Sequence, residues 1–265
     1  MPTPAGKWIA ALMVAIVTVG SAVLTPLASA DEAVAQETMV PTGLKVLVRA
    51  DDAKFIGSGV GGLNIAVRDA ATGAVLAEGE ITGPTGDTEA LMRVPQTRGY
   101  SATVGDPASF QVELALARPT RVEIAVTGPL AVAQSIQATT VTLWLIPGQD
   151  RVANPVILHL PGLITELLDY TVDDGQLSVT AAVTMICGCP ITVEGLWPAA
   201  DFRAVVQLYR QHELVAEGVM GFTGTDNEFA GTLDLTGAGD FDMVVHAYQV
   251  STGNAGVYQR PLRIE

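Results

Sequence analysis

From residue 42 onward, apolar and polar residues alternate with a period of two, which marks strands with one buried face. Leu44-Lys45-Val46-Leu47-Val48-Arg49 opens the pattern and Leu63-Asn64-Ile65-Ala66-Val67-Arg68 continues it. Asp69-Ala70-Ala71-Thr72-Gly73 then reads as a hairpin turn, and residues 75–81 return. Further strands are expected over residues 110–116, 121–127 and 139–146. Residues 83–107 are rich in Gly, Thr and Pro and predict long loops around a short strand at 91–94. The layout then recurs. Residues 202–208 run up, and Leu214-Val215-Ala216-Glu217-Gly218 returns much as Val75-Leu76-Ala77-Glu78-Gly79 does. Residues 229–235 parallel 110–116, and 241–248 parallel 121–127. The expectation is an all-β fold of two tandem β-sandwich domains, 42–155 and 156–265, after a linker at 31–41.

The N-terminus breaks this pattern. Lys7 precedes an apolar run from Trp8 to Leu24, followed by Pro26 and the small-residue stretch Ala28-Ser29-Ala30. A positive start, an apolar middle and an A-x-A end predict a signal peptide over residues 1–30. The expected location is therefore the periplasm or the extracellular space, with no membrane span after cleavage.

Charge narrows the partners. Residues 31–158 hold 9 Lys and Arg against 14 Asp and Glu, whereas residues 159–265 hold 4 against 14. An acidic second half opposes nucleic acid, which needs a basic face. Two cysteines are too few for a disulfide framework, so burial must hold each domain together.

Near the C-terminus stand Gly239-Asp240-Phe241-Asp242-Met243-Val244-Val245-His246-Ala247-Tyr248, Gly253-Asn254-Ala255-Gly256 and Leu262-Arg263-Ile264. This stretch resembles the closing hairpin of bacterial immunoglobulin-like domains, departing from their pattern at Gln249. The resemblance implies immunoglobulin-like sandwiches in an extracytoplasmic setting and no particular reaction. Around Val67–Gly73 the first half is similar to transthyretin-like or carboxypeptidase-regulatory sandwiches.

The most specific chemistry lies in Met185-Ile186-Cys187-Gly188-Cys189-Pro190. On a strand through residues 183–189, Met185, Cys187 and Cys189 would share one face. Three readings follow. Cys187 and Cys189 form a short disulfide, helped by a pinch at Gly188; this is the leading one. Alternatively Met185, Cys187 and Cys189 bind Cu(I) with His246 as a fourth ligand. In the third, the thiols stay free and buried or pair with a partner protein.

Elsewhere no catalytic constellation emerges. His159, His212 and His246 lack metal spacing, and the glycine run 57–62 lacks the helix that a phosphate loop requires. Asp173-Asp174-Gly175 and Asp226-Asn227-Glu228 read as turns, while Trp144, Trp197 and Tyr209 read as core or edge packing. The chain is expected to be a non-enzymatic binding or accessory protein for adhesion or assembly, without a cofactor. An extracytoplasmic protein partner would meet residues 83–107 and 187–198, and exposed strand edges would allow self-assembly. The alternative is a copper-binding or redox protein.

Overall fold

Fourteen strands carry the fold in a computed structural model that describes residues 37–98, 103–235 and 237–265. The expected signal peptide lies outside the described residues. Among the described residues, no helix is long and apolar enough to cross a membrane.

The first half builds two sheets. One has the order β4-β1-β7, with β1 (Val40–Ala50) between β4 (Phe110–Leu116) and β7 (Arg151–Leu160). The other runs β3-β2-β5-β6, formed by β2 (Leu63–Asp69), β3 (Val75–Ile81), β5 (Thr120–Gly128) and β6 (Gln137–Leu145). Every pairing is antiparallel except β1 with β7, which is parallel. β7 straddles the boundary expected between residues 155 and 156. Its ladder from Val46–Val156 to Ala50–Leu160 keeps it in the first half, and the chain crosses over at Pro161-Gly162.

In the second half the order is β14-β13-β10-β11-β12-β9-β8. The strands are β8 (Leu163–Asp173), β9 (Gln176–Met185), β10 (Phe202–Arg210), β11 (Glu213–Phe222), β12 (Glu228–Asp234), β13 (Gly239–Gln249) and β14 (Ala255–Ile264). Only two residue pairs, Gly221–Ala230 and Phe222–Phe229, join β11 to β12, so the sheet bends there into two layers. The internal repeat is real but partial. The order β3-β2-β5-β6 recurs as β11-β10-β13-β14, while the layers opposite them differ.

One expectation fails in the loop-rich stretch. Residues 88–92 form a short helix, α1 (Thr88–Met92), in place of the strand expected at 91–94. The Asp87 side chain accepts a hydrogen bond from the Ala90 amide at 2.7 Å, satisfying a donor the first turn leaves free. Leu91 then packs on Leu47 and Phe55, and Arg49 donates to the Leu91 carbonyl at 2.9 Å. Capping plus one buried leucine outweighs the β pattern over so few residues.

The two halves share one contiguous apolar cluster, from Leu44 to Ile264. Polar contacts register them. The Trp197 indole donates to the Asp52 carbonyl at 2.8 Å, so this tryptophan pins the seam between the halves. Gln249, only 2% exposed, donates its amide to Asp52 at 2.8 Å and to Asp201 at 3.1 Å. Its carbonyl accepts from Thr252 at 2.7 Å and from Asn254 at 3.0 Å. Asn254 in turn donates to the Asp51 carbonyl and accepts from the Gly162 amide. Farther along, Gln134 brackets Gln259, donating to its carbonyl at 3.0 Å and accepting from its amide at 2.7 Å.

Gln249→Glu would bury a third carboxylate against Asp52 and Asp201 and remove the amide donor. It is expected to cost about 2–4 kcal/mol at neutral pH. Urea unfolding should show this loss shrinking as the pH is lowered toward 5, where the new carboxyl protonates.

Candidate functional site

The sulfur motif departs from a flat strand. β9 ends at Met185, and Gly188 adopts φ +75°, closing a tight turn. The Gly188 amide donates to the Met185 carbonyl at 2.7 Å, and the Met185 amide to the Cys189 carbonyl at 3.2 Å. That turn draws the Cα atoms of Cys187 and Cys189 to 5.4 Å, within bridging range, and the two are joined as a disulfide. Both cysteines and Met185 are buried. A side chain at 188 would press on Val60 of the first half, so the turn also shapes the seam.

His246 stands elsewhere. On β13, Met243, Val245 and Ala247 face the core, which leaves His246 on the outer face with Val244 and Tyr248. Among the described residues, the four candidate ligands are therefore not gathered at one point, and no trio of His, Cys, Asp or Glu forms a metal-sized group. Residues 187–198, expected to meet partners, are divided: Cys187, Cys189, Ile191 and Trp197 are buried, while Gly188, Pro190 and the stretch 193–195 are exposed.

The remaining sequence candidates resolve into local structure. His159 lies 3.1 Å from Asp51. The run Gly57–Gly62 wraps a one-turn 3-10 helix at Ser58–Val60, whose Val60 is buried. Asp174 and Gly175 have positive φ, and so do Gln211 and His212, as the tight β8–β9 and β10–β11 hairpins demand. The Asn227 amide donates to the Ile191 carbonyl at 2.8 Å, its side chain accepts from the Ile191 amide at 2.7 Å, and its carbonyl accepts from the Val183 amide at 2.8 Å. Trp144 is 61% exposed on the edge strand β6.

What pattern reading missed is the outer face of β11-β10-β13-β14. Register places Val219 beside Val205, Val205 beside His246, and His246 beside Val257, a row crossing all four strands. Val219 is 75% exposed, and Val257 and Tyr248 are exposed as well. Polar groups rim the row. Gln207 donates to Glu217 at 2.6 Å and accepts from the Tyr209 hydroxyl at 2.9 Å. Beyond them a groove of about 540 Å³ is lined by Tyr209, His212, Asp242, Gln259 and Arg260, among others. The signal was available: residues 205, 219 and 257 are valines at outward positions, where alternation calls for polar side chains.

Next to this face, Asp201 ties the β13–β14 turn. Burial pushes its carboxyl pKa up, but hydrogen bonds from the Ser251 hydroxyl, the Gln249 amide and the Ser251 backbone N–H outweigh that and hold it below the usual value. Asp69 is also lowered, through the backbone amides of Thr72 and Ala71 in the β2–β3 turn.

No protein-family model and no curated protein matches the chain. Among solved structures, a DUF3823 family protein from Bacteroides ovatus is similar at 8% identity, covering 84% of this chain and 99% of that one, with a TM-score of 0.33. A tip fimbrial protein from Porphyromonas gingivalis is similar at 12% identity over 85% and 82% of the two chains, with a TM-score of 0.28. Likenesses of that strength assign neither a ligand nor a role.

Three measurements test this geometry. Intact mass under non-reducing conditions should fall two hydrogens short of the reduced chain. Replacing both cysteines by Ala should cost about 1.5 kcal/mol, because so short a loop restricts the unfolded chain little. Asp201→Asn should flatten the acid limb of the stability curve. A carboxylate with a lowered folded pKa stabilises above its unfolded value near 4 and loses that contribution as the pH falls through the folded value.

Proposed function

We propose that the chain is an extracytoplasmic, non-enzymatic binding or accessory protein whose contact surface is the outer face of β11-β10-β13-β14. One observation carries this reading: the outward row Val219–Val205–His246–Val257, exposed at Val219 and Val257 and half-buried between them, with the exposed Tyr248 alongside and a polar rim. Leaving apolar side chains in water forgoes roughly 25 cal/mol per Å² of burial, and a contiguous patch of them marks an interaction site. Sheet residues hold such a patch rigid, so little ordering entropy is lost on binding.

The architecture supports the same reading. In the second half, β8, β9 and β12 lie opposite β14, β13, β10 and β11, an arrangement that fits an immunoglobulin-like sandwich. The first half, with orders β4-β1-β7 and β3-β2-β5-β6 and a parallel β1–β7 pair, fits the transthyretin-like resemblance. The N-terminal segment of residues 1–30 supports export.

Photo-crosslinking tests the surface directly. A crosslinker at Val219 or Tyr248 should trap a discrete partner in cells, whereas one at Val75 in the first half should not. Once a ligand is in hand, Val219→Asp should weaken binding by about tenfold or more, about 1.4 kcal/mol, without unfolding the chain. Equal trapping at Val75, or unchanged affinity in Val219→Asp, would sink the assignment.

A further inference from the structure

Sheets expose backbone donors and acceptors along their edges, and proteins usually guard them with charge, proline, irregular register or a cover. Among the described residues, five of the six edge strands are guarded. β3 carries Glu78 and Glu80 and faces a β2 register shift, while β4 carries Glu113. β7 carries Arg151 and Pro155, and its register on β1 is irregular. β8 holds Glu166, Asp169 and Asp173 and slips between Leu167 and Asp169. β14 contains Arg260, Pro261 and Arg263, and the Gln134 amide covers its backbone at Gln259.

β6 has no charge, no proline and no register shift, and β7 approaches part of it. Its sequence Gln-Ala-Thr-Thr-Val-Thr-Leu-Trp-Leu contains neither charge nor proline, and its ladder with β5 runs from Thr120–Leu145 to Gly128–Gln137 without a shift. Of its residues only Leu145 is buried, and Trp144 is 61% exposed.

We propose that β6 is a self-association edge that pairs antiparallel with β6 of a second copy of this chain, extending β3-β2-β5-β6 into a continuous eight-stranded sheet. The surface is separate from the binding face of the second half and does not depend on it. Charge leaves this edge open to a second copy. The chain carries a net −14, so two copies repel wherever acidic surfaces meet, and a charge-free edge lets identical chains approach. Register points the same way. With Val141 opposite its own symmetry mate, Trp144 falls opposite Ala138, Leu143 opposite Thr139 and Thr142 opposite Thr140. The largest outward side chain thus lies over the smallest, twice by symmetry, and the half-buried Thr139, Val141 and Leu143 complete the inner layer.

Sedimentation equilibrium of the full chain should give a monomer–dimer equilibrium. Thr142→Lys places a lysine that can reach Glu123 on β5 within its own chain, so the fold is retained, which far-UV circular dichroism would verify. At the dimer seam the same change sets charge against Thr140 and should raise the dissociation constant by about tenfold or more. Val141→Cys, mild oxidation and denaturing electrophoresis then read the register: a covalent dimer should form and dissolve on reduction. Val75→Cys on the guarded edge β3 should stay monomeric. A wild-type chain that is monomeric at every concentration would overturn the proposal. So would a dimer indifferent to Thr142→Lys, or crosslinking at Val75 as efficient as at Val141.

Discussion

A single side-chain amide holds this molecule in register. Gln249 is buried where the two halves meet, and all four of its hydrogen-bonding positions are used: two donated to carboxylates on opposite sides of the seam, two accepted from its own turn. A buried amide left half-satisfied would cost more than the seam gains, so its geometry permits essentially one arrangement of the halves. Apolar contact around Val60, Ile186 and Trp197 supplies the driving force, but apolar contact is not directional. Direction comes from Gln249, from Asn254 and from the Trp197 indole. Asp52 takes part from the left-handed region, at φ +55°, which turns its carbonyl toward Trp197 and its carboxylate toward Gln249.

Once the seam is set, much of the remaining surface is decided. Docking covers the β14 edge through Gln134. It also turns Cys187, Cys189, Ile191 and Trp197 inward, and the disulfide turn sits against the first half. What stays open is the broad face of β11-β10-β13-β14 and the edge of the first half at β6. The two surfaces are of different kinds. The face offers side chains to a partner, whereas the edge offers backbone.

The disulfide fits this account as a local clamp. A bridge across one intervening residue removes little entropy from the unfolded chain, so its contribution is shape. It ends β9, turns the chain at Gly188 and fixes a close approach to Val60 that any larger residue would obstruct.

Strand alternation made the all-β class and most strand positions legible, and the Val75–Gly79 and Leu214–Gly218 match falls on β3 and β11, which hold corresponding places in the orders β3-β2-β5-β6 and β11-β10-β13-β14. Those features are local: burial of alternate residues is written into each segment and needs no knowledge of its neighbours. The cysteine pair was legible for the same reason, since glycine between two cysteines allows a pinch within three residues. The helix at Thr88–Met92 was hidden because its stability comes from Leu91 reaching Leu47 and Phe55, residues far away in sequence. His246 looked like a ligand for the sulfurs, yet strand parity puts it on the other side of the sheet from the core. The role of Gln249 was invisible too. As a residue it was only a departure from a pattern, and it became a lock because folding brought Asp52 and Asp201 to either side of its amide. Parity and turn chemistry act over a few residues and can be read along the chain; partnership across a seam depends on distances that exist only after the chain has folded.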